Sequence, residues 1–230
     1  MRSPTPDISA FARLDFGRER RTGFGETVYG AGKTPEQLAK IFAAFRAKRL
    51  PALATRVSAE QAAAVAGRIS DVSYDAPSRT LVGAWRTRRK APTLDGTVAV
   101  LAAGTADLPV AEEAAKTVEF FGAGVRRLYD VGIAGLHRLL DVIGDVRRAD
   151  VVIAAAGMEG ALPSVVAGLV SAPVIALPTS VGYGCGAGGV AAALAMLSSC
   201  AEGVTVVNID NGFGAAVAAC RILRTRKPRR

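Results

Sequence analysis

The sequence predicts an α/β protein: a three-layer arrangement with a parallel sheet flanked by helices, preceded by a small α+β domain. Three observations carry this expectation. From residue 96 to residue 224, short apolar segments alternate with helical ones, as strands buried on both faces and joined by helical crossovers do. Half of the residues are hydrophobic but only 6% are aromatic, so the interior is packed with Ala, Val, Leu and Gly rather than with rings. The 230 residues are enough for one large or two small domains with a real core.

The elements of the second half follow in order. "GTVAVLAAG" (96–104) reads as a buried strand and "DLPVAEEAAKTVEFFG" (107–122) as a helix with acids in its first turns. "GVRRLYDVG" is a second strand and "AGLHRLLDVIG" a helix. "ADVVIAAAG" is a third strand, followed by the helix "ALPSVVAGLV". "APVIALP" is a fourth strand, and "GGVAAALAMLSSC" a helix that runs up to Cys200. "GVTVVNID" is the fifth strand and "NGFGAAVAACRILR" the closing helix.

The first half is patterned more weakly. A short strand is expected at 26–30 and a helix from residue 35, with Thr34 as its cap and Pro35 at its first position. "ALATRVSAEQAAAVAG" gives a strand, a Ser58 cap and a helix, and "RTLVGAWR" one more strand. The polar, turn-rich "RTRRKAPTLDG" separates the halves. The expected organisation is therefore residues 1–90 as the small domain, 91–225 as the α/β domain and 226–230 as a basic tail.

The formal charge of +9 is concentrated. Arg86, Arg88, Arg89 and Lys90 lie in the linker, and Arg221, Arg224, Arg226, Lys227, Arg229 and Arg230 in the tail. Such runs are solvated segments or attract anions. No aromatic residue interleaves with the tail, so nucleic acid is not an expected partner. Three cysteines without a CxxC pair and one histidine argue against a zinc cluster. An odd thiol count and no signal peptide point to the cytoplasm. No apolar run reaches membrane-spanning length, so no membrane partner is expected.

Ligands of parallel α/β sheets bind at the carboxyl ends of the strands, and four strand-end loops are suited to that. "AAGTAD" supplies Gly104, Thr105 and Ala106 ahead of a helix whose N–H groups can hold phosphate, with Asp107 as its cap. "AAGMEGALPS" supplies Gly157, Met158, Glu159 and Gly160. "LPTSVGYGCGAGG" supplies Ser180, Gly182, Tyr183 and Gly184, and "NIDNGFGA" supplies Asp210 and Asn211. The G-x-G-x-x-G fingerprint is missing from the first turn, which disfavours ordinary dinucleotide binding.

The segments "LAAGTADLPVAEEA", "DVGIAGLHRLL", "GMEGALPSVVAGL", "LPTSVGYG" and "SCAEGVTVVNIDNGFGA", with the N-terminal "DFGRERRTGFGETVYGAGKTPEQLAKIF", closely resemble the LarB family over about residues 13–220. These are carboxylases/hydrolases of nickel-pincer cofactor biosynthesis. The second half is also similar to the PurE-type aminoimidazole ribonucleotide carboxylases, whose flavodoxin-like sheet the resemblance implies here. His137-Arg138 matches the "His-Arg" motif of that family. The second histidine of that family is replaced by Ala161 before Leu162-Pro163, which argues against purine chemistry.

The resemblance implies a reaction: carboxylation of the pyridinium ring of nicotinic acid adenine dinucleotide (NaAD) at C5 by CO2 or bicarbonate, then phosphoanhydride cleavage that releases AMP. It implies Cys200 as nucleophile, next to Ser199 in the "SCA" motif. An electron-poor pyridinium does not attack CO2. A thiolate added beside the ring nitrogen turns the ring into an enamine whose C5 is nucleophilic, and a thiolate also leaves readily. Glu159 is the candidate acceptor of the C5 proton. His137 is a candidate for phosphate binding or proton relay, and Asp107 for contact with ribose or a metal. Arg18, Arg20, Arg21 and Lys33 are candidate phosphate contacts. Ala106 stands where the family often has Ser, and Ser198 where it often has Asn. Mg²⁺ held by substrate phosphates and one or two carboxylates would suit the anhydride step, and no tightly bound organic cofactor is expected. A homo-oligomer, an octamer in related PurE-type proteins, is expected by analogy.

Overall fold

The computed structural model describes residues 8, 11–84 and 94–225. The chain divides into two compact units, Met1–Ala91 and Pro92–Arg230. The basic residues Arg86, Arg88, Arg89 and Lys90, and the tail 226–230, lie outside the described residues.

In the first unit the elements run α1 (Arg18–Thr22), β1 (Thr27–Tyr29), α2 (Pro35–Ala47), β2 (Ala52–Thr55), α3 (Ala59–Ala66), β3 (Val72–Asp75) and β4 (Thr80–Gly83). The sheet order is β1-β2-β4-β3. β1 and β2 are parallel across the α2 crossover, and the other pairs are antiparallel. Both predicted caps form full capping boxes, Thr34 with Gln37 and Ser58 with Gln61. Leu38, Ile41, Phe42 and Phe45 of α2 pack with Val65 of α3 against Ala52, Ala54 and Leu81 of the sheet. The periodicity of α2 sets this face.

The sequence reading did not contain α1 or β3. β3 is an edge strand of alternating Val-Ser-Tyr-Asp, paired to β4 through a turn closed by Asp75. Its Oδ2 accepts from the Ser78 backbone N–H (3.0 Å) and from the Ser78 hydroxyl (2.6 Å). The Asp-x-x-Ser turn chemistry was the available signal.

The second unit alternates strictly: β5 (Thr97–Ala102), α4 (Leu108–Phe120), β6 (Gly124–Leu128), α5 (Leu136–Arg147), β7 (Val151–Ala156), α6 (Leu162–Ala167), β8 (Val174–Pro178), α7 (Val190–Leu197), β9 (Val204–Val206) and α8 (Gly212–Thr225). All five strands are parallel, in the order β6-β5-β7-β8-β9. This is the flavodoxin-like and PurE-like sheet expected, and its order reverses between β5 and β7. Every residue of β7 and β8 is buried, as strands covered on both faces require. Leu139 and Val146 of α5, Leu162 and Val166 of α6 and Met196 of α7 cover one face. The other face is covered by α4 and α8, which also pack on each other. Burial of side chains such as Leu101, Ile153, Ile175 and Leu177 stabilises the fold by about 1.5–3 kcal/mol each.

Two differences bear on the site. The predicted helix 188–200 is shorter than expected: α7 ends at Leu197, and Ser198 to Gly203 form the turn into β9. α4 is preceded by a separate 3₁₀ turn, Thr105–Asp107.

Candidate active site at the carboxyl edge of the parallel sheet

Because the strands are parallel, the loops that follow β5, β7, β8 and β9 all emerge at one edge. The segment after β8 holds them together. Three consecutive residues, Thr179, Ser180 and Val181, each bond to a different neighbouring loop. The Thr179 hydroxyl donates to Asp107 Oδ1 at 2.6 Å, joining the loop after β5. The Ser180 N–H donates to Asp210 Oδ1 at 2.8 Å, joining the turn after β9. The Val181 carbonyl accepts from the Met158 N–H at 2.8 Å, joining the loop after β7. Thr179 and Val181 were absent from the residues singled out in the sequence. Neither has a motif of its own, and their roles come from strand order.

Asp107 is 3% exposed. Its Oδ2 accepts from the Gly104 N–H at 2.9 Å while Oδ1 accepts from Thr179. The expectation that its side chain caps α4 is corrected: no such bond is made, and the carboxylate closes the 3₁₀ turn and crosses to β8 instead. With both oxygens engaged and buried, Asp107 holds the loop in shape; contact with ribose or a metal would require these bonds to open. The Gly104 N–H is spent on Asp107, which leaves the exposed Thr105 and Ala106 as the outward part of that turn.

In the loop after β7, Gly157 is forced by close approach. A Cβ there would overlap the Val181 carbonyl oxygen and come within 2.7 Å of Thr179 Oγ1. Met158 holds a φ of 54°, a left-handed conformation uncommon for a residue with a side chain. Gly160 turns the chain back under α7, where a Cβ would lie 2.7 Å from the Ala192 carbonyl oxygen. The turn leaves Glu159 exposed at its tip and Met158 partly so. Gly182, Tyr183 and Gly184 form the rim after β8, and Tyr183 is 77% exposed. Asn211 caps α8 by accepting from the Gly214 N–H at 2.8 Å, one of the two roles open to it in the sequence. The buried Glu113 of α4 supports the same helix start by accepting from the Phe213 N–H at 2.9 Å.

His137 is exposed in the first turn of α5, which follows β6, the outer strand beside β5. Its neighbour Arg138 is ion-paired with Asp130 at 2.7 Å. In the first unit, Arg21 is ion-paired with Asp15, and the Lys33 ammonium donates to the Tyr29 carbonyl at 2.8 Å.

Cys200 and Ser199 are placed differently from the rest. They follow α7, which runs back from the carboxyl edge, and they precede β9. The Gly203 carbonyl accepts from the Val174 N–H, the first residue of β8. Ser180 lies six residues further along that extended strand, a separation of about 20 Å at roughly 3.3 Å per residue. Ser199 accepts from the Ser164 hydroxyl at 2.7 Å and from the Ala201 N–H at 3.2 Å, so it shapes the turn that carries the thiol. A single chain therefore gathers Gly104, Thr105, Ala106, Asp107, Gly157 to Gly160, Ser180 to Gly184, Asp210 and Asn211 at one edge and sets Cys200 towards the other. Of the three thiols, Cys185 and Cys200 are exposed and Cys220 is buried. Burial pushes the Cys220 thiol up to about 12.

Among the described residues, no group of three or more His, Cys, Asp or Glu side chains stands where it could hold a metal ion. No helix among the described residues is long and apolar enough to cross a membrane.

A flavodoxin-like sheet with pinned carboxyl-edge loops and a small preceding domain is the architecture of the PurE class, and the family matches support a carboxylase-type function. Residues 97–229 match the AIR carboxylase family and residues 6–86 the LarB/PurE-like N-terminal domain. The chain belongs to the LarB family, with a PurE-like C-terminal domain. It is 41% identical over 222 residues to the uncharacterized protein MJ0165 of Methanocaldococcus jannaschii, covering 93% of this chain and 84% of that one. It is also 33% identical over 131 residues to the N5-carboxyaminoimidazole ribonucleotide mutase of the same organism, covering 55% of this chain and 78% of that one. The Pyrococcus horikoshii mutase is 32% identical over 137 residues, covering 57% of this chain and 74% of that one.

Proposed function

We propose that the protein carboxylates the pyridinium ring of NaAD at C5 and hydrolyses its phosphoanhydride, as a step in nickel-pincer cofactor biosynthesis. The observation that carries the reading is the exposed Cys200 in the turn between α7 and β9, within the "SCA" motif, on a PurE-type domain. The likeness to the mutases covers little more than half of this chain, 55% and 57%. Where the PurE family has its second histidine this chain has Ala161, so the purine reaction is the weaker reading.

The Cys200 sulfur forms a bond to the ring carbon beside the nitrogen, and the ring C=N electrons move onto nitrogen. The resulting enamine attacks CO2 through C5, forming the new C–C bond. The C5 proton passes to a base. The C–S bond then breaks, the thiolate departs and aromaticity returns. Charge is conserved at each step, and the enzyme is restored once the C–S bond has broken and the base has released its proton to water. The phosphates would lie against the Thr105-Ala106 turn and the start of α4. Water then displaces AMP at the phosphoanhydride, leaving the dicarboxylated mononucleotide.

The test is incubation with NaAD and bicarbonate, with products identified by mass spectrometry. AMP together with a doubly carboxylated pyridinium mononucleotide is expected. Turnover of aminoimidazole ribonucleotide instead would establish the purine reading.

A further inference from the structure

Among the described residues Cys200 makes no hydrogen bond of its own, so its place is set by its neighbours. Ser199 is tied down three times. Its N–H donates to the Met196 carbonyl in the last turn of α7 at 3.2 Å. Its hydroxyl oxygen accepts from the Ala201 N–H at 3.2 Å and from the Ser164 hydroxyl at 2.7 Å. The first two bonds are local to the turn. The third comes from α6, 35 positions away in sequence.

A hydroxyl oxygen has two lone pairs and one proton. Ser199 spends both lone pairs, on Ala201 and on Ser164, so the proton is what it still has to offer. The carboxyl end of α7 leads into this turn, and its partial negative charge disfavours a thiolate there. A hydrogen-bond donor at the sulfur offsets that effect.

We infer that Ser164 is a positioning residue for the Cys200 thiol: by filling the second lone pair of Ser199 it fixes the turn and directs the Ser199 O–H at the sulfur while that sulfur carries negative charge. The donor acts before the sulfur adds to the ring and again as it leaves. No proton is transferred; the hydrogen bond forms to the thiolate and weakens in the adduct, where the sulfur is neutral. Without Ser164 the Ser199 hydroxyl has a lone pair free and can rotate to other partners. The inference rests on the thiol chemistry proposed above for its catalytic meaning, but the bonds that carry it do not.

Ser164→Thr and Ser164→Val are close in shape and differ in a hydroxyl against a methyl group, so they separate the hydrogen bond from packing. The first measurement needs no nucleotide. The full-length variants are treated with iodoacetamide at one pH, and the labelling rates of Cys200 and of the exposed Cys185 are compared by peptide mapping, with Cys185 as internal reference. The ratio of Cys200 to Cys185 labelling is expected to fall roughly tenfold in Ser164→Val, as loss of a hydrogen bond to a charged group implies, and to stay within about twofold of wild type in Ser164→Thr. A ratio unchanged in Ser164→Val, or lowered equally in both variants, overturns the inference.

The second measurement is steady-state turnover of NaAD with bicarbonate. Ser164→Val should lower kcat roughly tenfold or more with KM within about twofold, and Ser164→Thr should restore kcat. Because Ser164 acts through Ser199, the Ser164→Val/Ser199→Ala double variant should be no slower than Ser199→Ala alone. A rise in KM at constant kcat, or two losses that add, overturns the inference. If the wild-type protein does not turn over NaAD, the proposed function fails, and the labelling ratio alone decides the role of Ser164.

Discussion

Thr179 and Asp107 are 72 positions apart in sequence, yet the Thr179 hydroxyl donates to Asp107 Oδ1 at 2.6 Å, and both residues are buried. The bond joins the ends of β5 and β8, strands separated by β7. Thr179→Val keeps the shape but leaves a buried carboxylate oxygen without its donor, at a cost of about 1–3 kcal/mol. Denaturant unfolding should show that loss, and KM for the nucleotide should rise more than kcat falls, because the Gly104–Asp107 turn loosens. Thr179→Ser restores the donor and should recover most of both. Equal loss in the Val and Ser variants would assign the effect to packing.

Gly157 and Gly184 make a paired prediction. Gly157→Ala drives a methyl group into the Val181 carbonyl oxygen and should cost about 3 kcal/mol or prevent folding. Gly184 has a φ of 54° but nothing within 4 Å of a Cβ, so Gly184→Ala costs only about 1 kcal/mol. Thermal unfolding of the two variants checks the order.

The three thiols should separate chemically. Cys200→Ser retains shape but not a good adding and leaving group, and should lower carboxylation on the order of 10³-fold or more. Cys185→Ser and Cys220→Ala should leave kcat within a few-fold. Peptide mapping after brief alkylation of the native protein should find label on the exposed Cys185 and none on the buried Cys220, with Cys200 labelled slowly until a pyridinium nucleotide is bound.

Cys220 also gives a pH dependence with a definite sign. Its folded thiol is pushed up to about 12 by burial, from an ordinary value of 9.0. Between those values the unfolded chain loses the proton and the folded chain keeps it, so folding stability falls as pH rises. It is fully present below pH 9 and declines by up to about 1.4 kcal/mol per pH unit above it. Cys220→Ala, compared at matched pH, should flatten that decline. An unchanged slope would show that other groups control alkaline unfolding.

The sequence by itself determined the five-strand α/β unit, because continuous apolar strands such as Val151–Ala156 can be buried only between two layers of helices. It also determined the caps at Thr34 and Ser58, whose side chains act within three residues. It located the four strand-end loops, since their glycines lie at strand–helix junctions. It did not give β3, whose four residues gain a partner only through a turn. Nor did it give the role of Asp107, read from sequence as a helix cap and found joined to Thr179.

The tertiary structure decided which of these pieces meet. Strand order places the loops of β5, β7, β8 and β9 on one edge and lets three adjacent residues of one loop hold the other three. The same order sets Cys200 at the turn before β9, away from the residues it was grouped with in sequence. Periodicity and local motifs record what each segment buries or caps, interactions that span a few residues. Proximity between segments comes from the order of strands in the sheet, a long-range pairing that no short stretch of chain encodes.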